Sequence, residues 1–390
     1  MIKIEGLKIK VHLHKKTSAL FFWFKMLLKE IIKKLEEFIP RQIEWEKDNT
    51  GLQIGDPNQD INKVLLCLEL TKEVLQEAKK QDCELVVSHH PFFFKPLRKI
   101  NFQSYQGSLI KDIIKSNISF YSAHTNFDQY KKGVSYALAY KLGLQNSRPL
   151  ENKNEFLCKI VTFVPTEYSE RVADALSKAG AGSLGDYTDC SFRTEGIGTF
   201  KGNDNSNPFL GTKGILEKVN EIKMEMIFPS WKEKDIVSAL ITSHPYEEPA
   251  YDIIALKNNI KEFGYGMLGE LESETDAIQF ITKIKDILKV PFVKIAGNLQ
   301  KKVKRVALLG GSGSNYITAA ILQKADIFIT ADLSYHSFFD AGDDIILVDA
   351  GHYETEIFGL NELYNLFKEK VNPDLNLIIT KIITNPIKYL

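Results

Sequence analysis

Short apolar runs of strand length alternate with amphipathic stretches of helix length from residue 26 to the end of the chain, and the alternation is broken once, in the middle. That rhythm limits the fold more than any other feature, because strands separated by helices close into sheets whose faces the helices cover. The first stretch places Leu28, Ile31, Ile32, Leu35, Phe38 and Ile39 on one helical face and stops at Pro40. Strand-like runs follow at 64–68, 85–87 and 118–121, with helices expected near 71–80, 107–116 and 133–143. After residue 152 the pattern changes. A strand at 159–164, a helix over 167–179, the turn Gly180-Ala181-Gly182 and further β-rich segments to 256 read as a compact α+β module. Gly264, Gly266 and Gly269 mark the return, after which a helix over 274–288 and strands at 303–309, 327–330 and 345–348 restore the α/β order. The expected architecture is α/β: a two-lobed, mostly parallel core with lobe 1 at 26–152, lobe 2 at 263–390, and an inserted α+β domain at 153–262.

Residues 1–25 read as an extension outside that core. They carry lysines at 3, 8, 10, 15 and 16 and the apolar run Ala19-Leu20-Phe21-Phe22-Trp23-Phe24, far short of the roughly 20 residues that span a bilayer. A mitochondrial presequence is the alternative, against which stand the lack of arginine and a single serine. Fifty basic residues balance fifty acidic ones over 390 positions, so no global field draws nucleic acid or an anionic membrane. The four cysteines, Cys67, Cys83, Cys158 and Cys190, form no C-x-x-C pair. They indicate neither a disulfide framework nor a thiolate zinc site, and they suit a reducing cytoplasm.

Three strand ends carry the chemistry. The run Glu84-Leu85-Val86-Val87-Ser88 ends in His89-His90-Pro91. In a regular strand the two imidazoles point to opposite faces, but at a turning strand end both can reach one cavity; a surface turn that happens to hold two histidines is the bland alternative. A second strand runs into His124-Thr125-Asn126-Phe127-Asp128, where Asp128 is a candidate ligand and His124 a candidate ligand, supporting donor or proton-transfer group, against a plain Asx-turn. A third breaks at Gly351 and opens a helix in which His352 and Glu356, four apart, share a face; Glu354 points away and suits a solvated first turn. All five candidate ligands, His89, His90, Asp128, His352 and Glu356, stand at or just past the carboxyl ends of strands, where open α/β sheets place ligands. If Glu356 bridges, His90 and Asp128 complete one site and His89 and His352 the other. Three protein ligands per ion leave positions open, as catalytic sites do. Zinc, manganese, iron, cobalt and nickel accept such donors, with zinc the first choice.

Two further motifs are weaker. Gly310-Gly311-Ser312-Gly313-Ser314 matches neither phosphate-binding fingerprint and reads as a tight turn. Asp332 and His336, four apart, offer acid-base help beside the metals, His336 with His124 as proton carriers, or else a cap and a core histidine.

From Met26 onward the chain resembles the NIF-three-like family, dinuclear-metal proteins labelled GTP cyclohydrolase I type 2 homologues. The landmarks are Trp45-Glu46-Lys47-Asp48-Asn49, His89-His90-Pro91, His124 to Asp128, Thr330-Ala331-Asp332-Leu333-Ser334-Tyr335-His336 and Gly351-His352-Tyr353-Glu354-Thr355-Glu356. Lys47 and Ala331 depart from the family's usual wording. The resemblance implies the same five metal ligands, two divalent ions per subunit and a ring-shaped homohexamer. The middle segment resembles the ferredoxin-like PII/CutA insert of the longer members, on Gly180-Ala181-Gly182, Tyr187 to Phe192, Gly198-Thr199-Phe200 and His244-Pro245-Tyr246-Glu247-Glu248. His244, Glu247 and Glu248 read as a packed turn stiffened by two prolines rather than as another metal site. The implied activity is metal-dependent hydrolysis of a nucleotide or phosphoester. The alternatives are a regulatory or metal-holding assembly with a ligand-sensing insert and, third, a nucleic-acid clamp, which only the ring suggests.

Overall fold

The structure, a computed structural model, describes residues 25–152, 156–258 and 260–389. The extension expected over 1–25 therefore lies, apart from Lys25, outside the described residues. The opening helix spans Leu28–Glu36 and buries Leu28, Ile31 and Leu35, the stripe its periodicity predicts.

The first lobe is built on a five-stranded sheet in the order Asn376–Ile379, Lys63–Cys67, Leu85–Ser88, Ser119–Ser122 and Gly51–Ile54. The first four strands are parallel and the last is antiparallel. Because side chains alternate along each strand, Leu65, Val86 and Phe120 pack with Val74 and Leu109 of the helices on one face. Val64, Leu66, Val87 and Tyr121 meet Ile31 and Leu363 on the other. Helices Lys72–Lys80 and Tyr105–Lys115 begin where Thr71 and Ser104 accept hydrogen bonds from the N–H groups of Val74 and Gly107.

The second lobe carries a six-stranded sheet in the order Lys294–Ala296, Ile346–Asp349, Ile327–Ala331, Lys302–Ser312, Met267–Asp276 and Gln145–Arg148. Only the strands Lys302–Ser312, Ile327–Ala331 and Ile346–Asp349 are mutually parallel; the other pairings are antiparallel. The expected mostly parallel sheet is thus met in the first lobe and corrected in the second. Gln145–Arg148 leads out to the insert and Met267–Asp276 leads back, so these two strands run in opposite senses and need no crossover helix.

The lobes also exchange segments across the boundaries expected at 152 and 263. Helix Val134–Leu142 packs Leu138, Ala139 and Leu142 against Phe280, Ile284 and Leu308 of the second lobe. Helix Gly359–Leu366 and the turn after it pack Leu363, Leu366 and Phe367 into the first. Burial decides membership here, and chain position does not.

The insert leaves through a two-strand neck, in which Glu151–Asn152 pairs with Gly264–Tyr265. Its four-stranded sheet has the order Phe192–Lys201, Leu216–Pro229, Leu157–Pro165 and Tyr251–Ala255, antiparallel throughout. Helices Ser169–Ala179 and Glu233–Ser243 bury Val172, Leu176, Ile236 and Leu240 against one face. The order along the chain is βαββαβ, the ferredoxin-like arrangement. Among the described residues no helix is long and apolar enough to cross a membrane.

Candidate metal centre

Strand ends from both lobes meet at one place. At the end of Leu85–Ser88 the backbone N–H groups of His89 and His90 donate to the successive carbonyls of Cys67 and Leu68, at 3.0 and 2.9 Å. A regular strand sends neighbouring N–H groups to opposite sides. Here the chain has begun to coil, and both imidazoles enter the same cavity with ring centroids 4.9 Å apart. Ser88 Oγ and Ser122 Oγ hold the turn by donating to the carbonyls of His90 and His89. Asp128 closes the short helix Thr125–Asp128, which follows strand Ser119–Ser122. His352 opens helix His352–Glu356 after Gly351, whose φ of +91° turns the chain out of strand Ile346–Asp349. One helical turn then sets His352 Nε2 3.1 Å from Glu356 Oε1.

Four histidines share one arrangement. The Nδ1 atoms of His89, His90, His124 and His352 are tied, respectively, to the Ala123 carbonyl at 2.9 Å, Glu69 at 3.0 Å, Asp48 at 2.9 Å and Asp332 at 2.6 Å. An imidazole bound through Nδ1 presents Nε2 as its free ligand atom, the usual support of a metal-binding histidine. Those Nε2 atoms converge with carboxylates. His89 Nε2 lies 3.6 Å from Asp128 Oδ1 and 3.7 Å from Glu356 Oε1. His90 Nε2 lies 3.1 Å from Glu356 Oε2 and 3.3 Å from His352 Nε2. Donors about 2.1 Å from a tetrahedral ion stand about 3.4 Å from one another, the spacing found here. His89 Nε2 and Asp128 Oδ1 are buried without a hydrogen bond, a costly arrangement unless a cation compensates it. The residues present therefore fit divalent ions.

The electrostatics agree. Burial pushes the Asp128 carboxyl up to about 7, against the pull of His89. Burial also works against the charge on Glu356, yet His89 and the hydrogen-bonded His352 and His90 hold that carboxyl well below its ordinary range. Burial depresses His90 and His352, but their carboxylate partners outweigh it and hold them at about 10 and about 11. Burial raises Asp48, while hydrogen bonds from His124 and Thr125 bring it down to about 2.

All five expected ligands are brought together, but the distances divide them differently from the expected partition. His90 groups with His352 and Glu356, and His89 with Asp128 and Glu356. His124 joins the cluster, its ring 5.1 Å from His89 and 5.3 Å from His90. Asp332 supports His352 rather than His336. His336 is exposed, edge-on to Tyr335 at 5.4 Å, and no contact with the cluster links it to proton transfer among the described residues. Glu354, expected in a solvated first turn, is buried and accepts hydrogen bonds from Asn385 and Tyr389 at 2.8 and 3.3 Å. In the insert His244 is packed as expected, with Nε2 donating to the Phe163 carbonyl and Nδ1 accepting from the Tyr246 N–H.

The supports Glu69 and Asp48 were not foreseen in the sequence. Glu69 stands just past the end of strand Lys63–Cys67, so the strand-end rule that singled out the histidines applies to it too. Gly311 gives no such signal. A Cβ there would stand 2.2 Å from Glu356 Oε1, so the glycine turn leaves room for the Glu356 carboxylate.

The chain is 38% identical over 365 residues to a Bacillus subtilis protein named GTP cyclohydrolase 1 type 2 homolog, covering 93% of this chain and 98% of that one. A protein of the same name from Halalkalibacterium halodurans is 37% identical over 365 residues, with 92% and 98% covered. The solved structure of a Bacillus cereus protein related to NIF3 matches with a TM-score of 0.80 at 36% identity, over 94% of this chain and 99% of that one. With residues 26–386 matched by its model, the chain belongs to the Duf34/NIF3 (NGG1p interacting factor 3) family.

Proposed function

We propose that the protein binds two divalent metal ions per subunit and is a metal-dependent hydrolase of a nucleotide or phosphoester. The observation that carries this reading is the convergence of tied histidines on the carboxylates of Asp128 and Glu356, with His89 Nε2 and Asp128 Oδ1 buried and without a hydrogen bond. His89, Asp128 and Glu356 would hold one ion, and His90, His352 and Glu356 the other. Zinc is the first choice, with manganese, iron, cobalt and nickel compatible. Ions bound there supply Lewis-acid polarisation and lower the pKa of water. His124, fixed through Nδ1 by Asp48 and edge-on to Phe94 at 6.5 Å, holds or moves a proton at Nε2. The relatives' name supports a nucleotide substrate.

The proposal extends to a cytoplasmic homohexamer in which the insert, PII/CutA-like by its βαββαβ plan, covers the openings of the ring. Light scattering of purified protein would read the assembly mass. A regulatory assembly without turnover is the second reading, favoured by a cavity of about 690 Å³ in the insert. Metal analysis followed by assay of wild type and Glu356→Ala on nucleotides and phosphodiesters separates the two. Two ions per chain and a rate lost in the variant support the hydrolase; equal background rates overturn it.

A further inference from the structure

The chain between His90 and the helix Tyr105–Lys115 forms no helix or strand, and both of its ends are fixed. At the near end Gln53 Oε1 accepts from the N–H groups of Phe92 and Phe93 at 2.9 and 3.0 Å. Asn49 Nδ2 and Gln106 Nε2 donate to the carbonyls of Phe93 and Phe92, and the Phe92 ring packs edge-on to Phe120 of the sheet at 6.2 Å. At the far end the Asn101 carbonyl accepts from the Ser104 N–H at 3.0 Å, and the rings of Phe102 and Tyr105 lie beneath the ammonium groups of Lys111 and Lys72. Residues 94–100, between these anchors, are exposed and make no hydrogen bond or ion pair among the described residues. Nothing along that segment holds it to one position.

From Pro91 to Lys111 the chain carries Lys95, Arg98, Lys99 and Lys111 and no carboxylate, although its charges balance overall. Lys95, Arg98 and Lys99 all fall in the unanchored part. Charge of one sign without a partner in the chain draws an anion from outside it, and the position of the segment says which. Phe94, its first residue, has its ring edge-on to His124 at 6.5 Å, and His124 stands 5.1 and 5.3 Å from the rings of His89 and His90. The side chains that converge on the metal centre are histidines and carboxylates, so the segment brings a kind of group that the centre lacks. Resting on the reading of that centre as a phosphoester site, we propose that residues 94–100 are a flap that folds over its substrate and binds the substrate's phosphate through Lys95, Arg98 and Lys99. The planar fork of Arg98 suits two phosphate oxygens at once. Phe94, Leu97 and Ile100, exposed in the open arrangement, then come down over the substrate and keep water from the reacting atoms.

The test uses metal-loaded, full-length protein with adenosine and adenosine monophosphate, which differ only in the phosphate. Calorimetric titration is expected to show the monophosphate bound about tenfold more tightly than adenosine. The triple variant Lys95→Gln, Arg98→Gln, Lys99→Gln should lose that advantage with metal content and melting temperature unchanged, since its substitutions are at exposed positions. Arg98→Lys, which keeps the charge, should retain most of it. Trypsin reads the closure: it should cut the unliganded protein after Arg98 or Lys99, Lys95 being followed by Pro96. The monophosphate, and not adenosine, should slow that cut about tenfold. Equal monophosphate affinity in wild type and triple variant would mean that the ions alone hold the phosphate, and would overturn the flap. Resistance of the unliganded protein at those bonds, or no protection by the monophosphate, would do the same. A triple variant of lower assembly mass by light scattering, with affinity unchanged, would mark the segment as a subunit contact and sink the proposal. Binding and protection need no turnover, and metal analysis of the same samples reports separately on the centre itself.

Discussion

Gly311 and Glu356 touch across the lobe: the space a side chain would need at Gly311 is taken by Oε1 of Glu356, which stands 3.7 Å from His89 Nε2 and 3.1 Å from His352 Nε2. Gly311 also has a φ of +72°, a conformation glycine adopts without strain. Gly311→Ala should destabilise the protein by about 1–3 kcal/mol through overpacking and backbone strain and should lower bound metal below two ions per chain. Denaturant melts and elemental analysis would check the two effects separately. Unchanged metal content would show that Glu356 is not shared.

Asp332→Asn keeps the shape of the residue that holds His352 Nδ1 at 2.6 Å but removes its charge. Supports of this kind commonly set metal affinity within 10–100-fold, so about a tenfold weaker site is expected. Competition with a chelating dye measures it. His336→Ala, by contrast, should leave affinity unchanged, since His336 stands apart from the cluster.

Protons and metal compete for the same atoms. In metal-free protein His90 and His352 titrate at about 10 and about 11, so both are protonated at neutral pH and must lose those protons to become ligands. Metal uptake should therefore release protons and strengthen as pH rises, which titration in buffers of different ionisation enthalpy would read. The same shifts fix the stability of the metal-free protein. Histidines raised from 6.5 stabilise the fold fully below that value and lose the contribution as pH rises through 10 to 11. Chelated protein should melt progressively lower over that window, and metal-loaded protein should not.

Residues 384–389 brace the centre from outside. Thr384 donates to Glu69, the carboxylate that holds His90, while Asn385 and Tyr389 donate to Glu354 in the helix of His352 and Glu356. A chain ending at residue 383 should fold but bind metal about tenfold more weakly. Thr384→Ser should retain affinity and Thr384→Val should lose part of it. Equal affinities for all three proteins would show that the tail has no positioning role.

The sequence made the ligands legible because each stands at a strand end beside a turn, and strand ends show as apolar runs that stop. It did not make legible which ligand faces which. His89 and His90 are neighbours in the chain, yet each groups with its own partners, Asp128 and His352, and that division depends on how the coil at His90 rotates one ring away from the other. Asp48 and Glu69 were passed over because their histidines lie 76 and 21 residues away, beyond any local pattern. Glu354 was read as solvated because its cover, Asn385 and Tyr389, comes from the chain's last residues. The exchange of helices Val134–Leu142 and Gly359–Leu366 between lobes was hidden for the same reason: amphipathic faces announce that they will be buried, but not against what.

The strand Asn376–Ile379 has a consequence for synthesis. It pairs with Lys63–Cys67, about 300 residues earlier, so at a translation rate of roughly 5–20 residues per second the nascent first lobe waits tens of seconds for its outer strand. Through that interval the edge of Lys63–Cys67 offers an open template to other chains, and His89, His90 and Asp128 have been made well before His352 and Glu356. The outer strand of the first lobe's sheet and the meeting of the five side chains thus wait on the same late stretch of chain.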